Sequence, residues 1–346
     1  MVVLPQADRV TGLRAKAARQ RRTPRRWREF KCALENAKRR VPTRRDCAAF
    51  SICILLSLAG CKQKATREVT VYASQDQVYA EPMLSEFTRA TGIRVRAVYD
   101  SEAVKTVGLV NRLLREASNP QCDVFWNNEE LRTRQLAARG ILRETNAWVA
   151  IGYRSRRIVI NTNLVPTAKG PSSLASFTNA EWRGKIALAY PLFGTTATHF
   201  LALRRHWGPQ QWEVWCRALQ ANKPLLLEGN SMVVNLVGRG EAWIGLTDSD
   251  DIAAGQRSGL PVAALPLSAE SLLIPNTVAL IRGSRNPDAA DELRAFLQQP
   301  ETIQRLVAAG ALEGLQAPKA GVMVDWATLV SDLDSATETL RAIFVR

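Results

Sequence analysis

The sequence predicts an α/β protein of two lobes, and three observations carry that prediction. From residue 69 onward, strand-like and helix-like segments alternate, the pattern of a largely parallel sheet covered by helices. The chain has 346 residues, 46% hydrophobic and 23% charged, which is enough for two packed domains. The net charge of +15 is also unevenly placed. Residues 1–60 carry 15 Lys and Arg against 4 Asp and Glu, whereas the remainder carries 32 against 28. The globular part is therefore near balance, which argues against a nucleic-acid partner.

The N-terminal segment reads as an address. Ala48 to Gly60, AAFSICILLSLAG, is apolar for 13 residues, whereas a spanning helix needs about 20. Arg44 and Arg45 precede it, and Leu58-Ala59-Gly60-Cys61 resembles a bacterial lipobox. That resemblance implies cleavage before Cys61 and lipid on its sulfur. Residues 1–60 are then a removed signal and extension, and 61–68 a lipid tether. The competing readings are an uncleaved anchor or a buried helix. The first 40 residues are long and Arg-rich for a signal, consistent with translation starting near Val41 or with a basic arm. Cys32, Cys47 and Cys53 lie in the removed segment. Cys122 and Cys216 fall in different lobes and read as buried free thiols, and no zinc motif is present.

Val69–Ala73 alternates as a strand. Glu81–Thr91 is helical, with Pro82 placed in its first turn and Gly92 ending it. Ile93–Tyr99 is a strand, Ala103–Ala117 a helix, Asp123–Trp126 a short strand, and Leu131–Arg139 a helix closed by Gly140. Strands follow at Arg157–Asn161 and Lys185–Ala189, then helices at Thr195–Trp207, Pro209–Asn222 and Ser231–Gly238. Trp243–Leu246, Val262–Leu265 and Ser271–Ile281 read as strands. Helices at Pro287–Leu297, Pro300–Ala309, Trp326–Leu333 and Ser335–Ile343 complete the chain, with no internal repeat.

Val69–Phe87, VTVYASQDQVYAEPMLSEF, followed by Thr91-Gly92-Ile93, resembles the opening of ferric-iron-type periplasmic binding proteins. Asp123-Val124-Phe125-Trp126, Trp182-Arg183-Gly184-Lys185-Ile186, Gly240-Glu241-Ala242 with Gly245-Leu246, and the hinge-like Arg157–Leu164 continue that resemblance in order. It implies a two-lobe periplasmic binding protein fold with hinge strands and a ligand cleft. The expected lobes are 69–157 with 263–300, and 158–262 with 301–346. It further implies a monomeric, lipid-anchored receptor in the cell envelope that serves an ABC permease and ATPase, with no cofactor required.

Open α/β sheets bind ligands beyond the C-terminal ends of their strands. The loops placed there are Ser74–Asp76, Trp126–Glu130, Tyr190–Thr196 and Thr247–Asp251. The candidate ligand residues are Ser74, Asp76, Trp126, Asn128, Glu129, Gly194, Thr195, Thr196, Asn230, Asp248, Asp250 and Asp251. Gly194-Thr195-Thr196 and Asn230-Ser231 open helices, so each reads as an anion cradle or as an ordinary cap. Where the resembling family has two adjacent tyrosines as iron ligands, this chain has Asp250 and Asp251; where it has histidine, Asp76; where it has an acidic ligand, Asn128. The resemblance thus implies a metal ion, ferric iron by default, on Asp76, Asp250 and Asp251, with a synergistic anion. Carboxylates also suit other hard cations or a protonated amine, so a polyamine or an amino-phosphonate is the alternative cargo. The competing reading of Asp248–Asp251 is a helix cap followed by two first-turn acids. Among Tyr72, Tyr79, Tyr99, Trp126 and Tyr190, Trp126 is the preferred pocket aromatic. His199 and His206 share one helix, and no nucleophile motif or phosphate loop is present, so the chain reads as a non-enzyme. A surface-tethered sensor or enzyme on the same fold is the second class.

Overall fold

The computed structural model describes residues 67–345, apart from 101–104 and 146. These all fall in the compact unit Ala65–Arg346. The signal segment 1–60, the possible start near Val41 and the lipid site Cys61 lie outside the described residues.

One half of the molecule is built on β1 (Glu68–Ala73), β2 (Arg94–Val98), β3 (Val124–Asn127) and β9 (Leu273–Leu280). β1 pairs in parallel with β2 and β3, and β9 runs antiparallel to β3. The alternation in β1 buries both of its faces. Val69, Val71 and Ala73 meet α1 (Gln77–Thr91), α8 (Pro287–Leu297) and α9 (Pro300–Ala308), whereas Tyr72 packs with α2 (Lys105–Arg115) and α3 (Glu130–Ala138). Each buried Val, Leu or Phe contributes roughly 1.5–3 kcal/mol.

The other half has β5 (Ile186–Ala189), β6 (Leu225–Leu227), β7 (Ile244–Asp248) and β8 (Val262–Ala264). Ile186, Leu188, Ile244 and Leu246 pack with α4 (Gly194–Trp207), α5 (Pro209–Ala221) and α10 (Trp326–Phe344). Val159, Ala187 and Ala189 meet α6 (Asn230–Arg239) and α7 (Ser249–Arg257).

β4 (Trp148–Asn161) joins the halves. Its residues 148–155 pair with β9, 156–160 pair with β7, and 159–161 pair with β8. The strand bulges between Ala150 and Tyr153. Gly152 sits in that irregularity at φ +97°, where a Cβ would meet the Gly314 carbonyl oxygen at 2.8 Å.

The sequence placed only residues 157–161 in this strand. The bulge and the polar run Arg154-Ser155-Arg156 hid residues 148–156. The sheet is mixed, with antiparallel pairs at β3–β9, β4–β9 and β4–β7, not wholly parallel. α1 starts at Gln77 because Tyr79 and Ala80 are buried, which leaves Pro82 inside the helix and not in its first turn. The two C-terminal segments form one helix, α10. Ile303 and Leu306 of α9, with Leu312, pack in the first core, so the chain leaves that half after 312, later than the expected 301. Cys122 and Cys216 are free and buried. No helix among the described residues is long and apolar enough to cross a membrane.

Candidate functional site

Four helices begin at one cleft. The residues before or at their first turns are Asp76 (α1), Gly194–Thr196 (α4), Gly229-Asn230 (α6) and Asp248–Asp251 (α7). With Asn128 and Arg154, all of these but Ser249 and Asp250 line a cavity of about 50 Å³, closed further by Thr106, Tyr190, Phe193 and Glu228. Neither Phe193 nor Gly229 supplies a side-chain cap, so the first N–H groups of α4 and α6 are not capped from within. Such N-termini favour anions.

The opposite sign is concentrated on β7 and α7. Carboxylate oxygens of Asp248, Asp250 and Asp251 lie within 4.8 Å of one another. Two arginines from β4 reach into this cluster. Arg156 Nη1 donates to Asp248 at 2.7 Å and to Asn230 Oδ1 at 2.8 Å. Arg154 Nη1 donates to Asp250 at 2.6 Å and lies 3.1 Å from Asp248. Arg154 Nη2 also donates to the Asn128 carbonyl at 3.1 Å, tying the end of β3 to α7. Arg154 and Arg156 are two apart on a strand, so their side chains leave the same face.

The three acids are not equivalent. Asp248 does not cap α7 with its side chain. It accepts from Arg156, from Thr195 Oγ1 at 2.8 Å and from Asn230 Nδ2 at 3.2 Å. Burial pushes its pKa up, but Arg154 and Arg156 outweigh that and hold the carboxyl below its ordinary value. Asp250 is pushed up to about 6, by burial first and then by Asp248 and Asp76 against the pull of Arg154. Its Oδ1 has no partner. Asp251, half-buried on the cavity wall, is raised well above the ordinary range by burial, Asp250, Asp248 and Asp76. The cap reading of these acids therefore fails for Asp248, and the first-turn pair resists ionisation because burial and like charges outweigh the pull of Arg154.

Of the residues named from sequence, Asp76, Asn128, Gly194, Thr195, Thr196, Asn230, Asp248 and Asp251 line the cavity, with Asp250 beside them. Besides Asp250, three do not line it. Trp126 is fully buried in the first core. Glu129 caps α3, accepting from the Arg132 N–H at 3.1 Å and from Thr198 Oγ1 at 3.3 Å. Ser74 accepts from the Asn128 N–H at 3.0 Å and donates to Asn127 Oδ1 at 2.7 Å, which fixes that loop. His199 is buried and neutral, its pKa lowered to about 3 by burial and then by Arg156, with Nε2 donating to the Glu270 carbonyl at 2.6 Å. Sequence reasoning missed Arg154 and Arg156. Basic residues at alternate positions, Arg154 and Arg156, between the apolar runs Trp148–Ile151 and Ile158–Ile160 were the available signal.

A two-lobe α/β fold with a charged cleft at the crossing strand is the architecture of a binding protein. The family profile of bacterial extracellular solute-binding proteins matches residues 68–311, and the chain belongs to that family. It is 24% identical over 318 residues to the major ferric iron-binding protein of Neisseria meningitidis serogroup A, covering 80% of this chain and 92% of that relative. The structure of iron-bound HitA from Pseudomonas aeruginosa superposes with a TM-score of 0.69 at 19% identity, covering 81% of this chain and all of that one. AfuA from Actinobacillus pleuropneumoniae, solved with fructose-6-phosphate bound, gives 0.69 at 17% identity, covering 82% and 100%.

Proposed function

We propose that this chain is the solute receptor of an ABC importer, and that its cargo is ferric ion held together with a small oxyanion. The observation that carries the reading is the division of one small cavity into two electrical halves. Asp76 and Asp251, with Asp250 beside them, form one half, and the starts of α4 and α6, which have no side-chain cap, form the other. Asp76, Asp248, Asp250 and Asp251 outnumber the two guanidinium groups of Arg154 and Arg156, and the crowding of like charges raises the Asp250 and Asp251 carboxyls. A bound cation displaces protons from those carboxyls and takes their place among the like charges. Carboxylate oxygens are hard donors suited to ferric ion, and the Neisseria relative is named for binding it. The chain acts by binding and not by catalysis, and Cys61 holds it to a membrane of the cell envelope as a monomer.

The second reading is an organic solute that carries an amine and a phosphonate, or a polyamine. One observation favours it: the Arg154 guanidinium already sits among these carboxylates, and an alkylammonium is the same kind of N–H donor. Calorimetry separates the two. Ferric nitrilotriacetate with phosphate is expected to bind tightly to the wild type and not to Asp251→Ala. Heat from 2-aminoethylphosphonate or putrescine, with none from ferric ion, would transfer the cargo to the second reading. Mass spectrometry of the membrane-extracted protein tests the lipid on Cys61.

A further inference from the structure

The helix that begins with the cavity acids ends on the opposite half of the molecule. Asp250 and Arg257 of α7 are seven residues apart, so they share one face of the helix, with Ala253 between them. At 1.5 Å per residue the two ends of this stripe are about 10 Å apart. The whole stripe packs across the cleft. At its start Asp250 holds Arg154, which in turn holds the Asn128 carbonyl. In its middle Ala253 lies against Gly310, whose Cβ, if it had one, would be 3.4 Å from that of Ala253. At its end Arg257 Nη2 donates to Tyr79 Oη at 2.8 Å.

Both partners of Arg257 belong to the first half of the molecule. Tyr79 is in the first turns of α1, with its ring buried in the first core. Gly310 follows α9, and a Cβ there would stand 2.3 Å from Arg257 Nη1. Its φ of +80° is one that side-chain-bearing residues rarely adopt, so a glycine is what admits the guanidinium. Burial first, then Asp250, keep the Tyr79 hydroxyl protonated.

We propose that Arg257 is a positioning residue for solute capture: its bond to Tyr79 latches α7 onto α1, holding the cleft closed and Asp250 and Asp251 in place, without touching the solute. Arg257 is exposed and does not line the cavity, so its removal takes away no solute contact. The proposal holds for either cargo.

Hydrogen exchange of the ligand-free full chain tests it, comparing wild type with Tyr79→Phe, Arg257→Ala and the double variant. Exchange in this regime reports the equilibrium population of the open form. Losing one hydrogen bond of ordinary strength is expected to raise exchange roughly three- to ten-fold at 76–80 and 248–257. α8 and α5, away from the cleft, should keep wild-type rates. The double variant should be no faster than the faster single, because both remove the same bond. Unchanged rates at the cleft overturn the proposal. A uniform rise across the chain also overturns it, because that is global destabilisation and not opening.

Discussion

Asp248 and Asp251 stand three residues apart and are driven in opposite directions. Asp248, at the end of β7, is enclosed by Arg156, Thr195 and Asn230 and stays ionised. Asp251, in the first turn of α7, faces Asp250, Asp248 and Asp76 and resists ionisation. The same side chain is thus structural at a strand end, where neighbouring strands deliver cations. It is available for a ligand one turn later, where the helix delivers more acids. A three-carboxylate cluster read as a single metal centre misses this division.

The sharpest way to break the comparison is Asp248→Ala. It leaves Arg156 fully buried without its carboxylate, and breaking a buried pair from one side costs about 3–5 kcal/mol. Urea unfolding measures it, and a loss under about 1 kcal/mol would mean that Asp248 does not hold the site together. Asp248→Asn keeps hydrogen-bonding capacity and should cost less.

The next effect is in pH. An ordinary Asp titrates near 3.9, and Asp250 does so at about 6 in the fold. Between those values the native state holds a proton that the unfolded chain has lost, so stability falls as pH rises. The contribution is on the order of 2–3 kcal/mol across that window. Asp248 has the opposite sign, its contribution being lost as pH falls below about 4. Thermal melts of the ligand-free protein from pH 4 to 7 should show the decline, and Asp250→Asn should lessen it, with Asp251, raised by burial and the same neighbours, supplying the remainder. Binding of a cation should release protons near pH 6.

Asp251→Asn is expected to run against the usual direction of mutation. Removing a carboxylate that burial and three like charges disfavour should stabilise the ligand-free protein by about 0.5–2 kcal/mol while weakening cation binding. Denaturation and calorimetry on one preparation check both halves. A destabilised variant would place Asp251 with Asp248 among the structural acids.

The fold was legible because its strands alternate and several of its helices end on glycine, as at Gly92, Gly208 and Gly240. Val69–Ala73 and Gly92 show their roles in any short window. What was hidden was non-local. Arg154 and Arg156 looked like a break in a strand because their partners, Asp248 and Asp250, lie more than 90 residues away. Trp126 and Glu129 were legible as a strand end and a loop acid, but only packing shows that one turns into the core and the other onto its own helix. Period and turn chemistry are written locally, whereas the charge balance of a buried site is written across strands.

The smallest expected effect separates the two threonines that open α4. Thr195 Oγ1 donates to Asp248 and accepts from Arg156 and Asn230, both at 3.2 Å, which uses all the capacity of a hydroxyl. Thr196 Oγ1 has a single long contact to Asn230 at 3.4 Å. Thr195→Val should therefore cost about 1 kcal/mol of stability and leave the phosphate-dependent gain in ferric affinity unchanged. Thr196→Val should leave stability within about 0.5 kcal/mol and reduce that gain. The α4 start would then repeat the pattern of α7, with one residue committed to the network and its neighbour left for the solute. If Thr195→Val alone abolished the phosphate dependence, the α4 half of this division would fail.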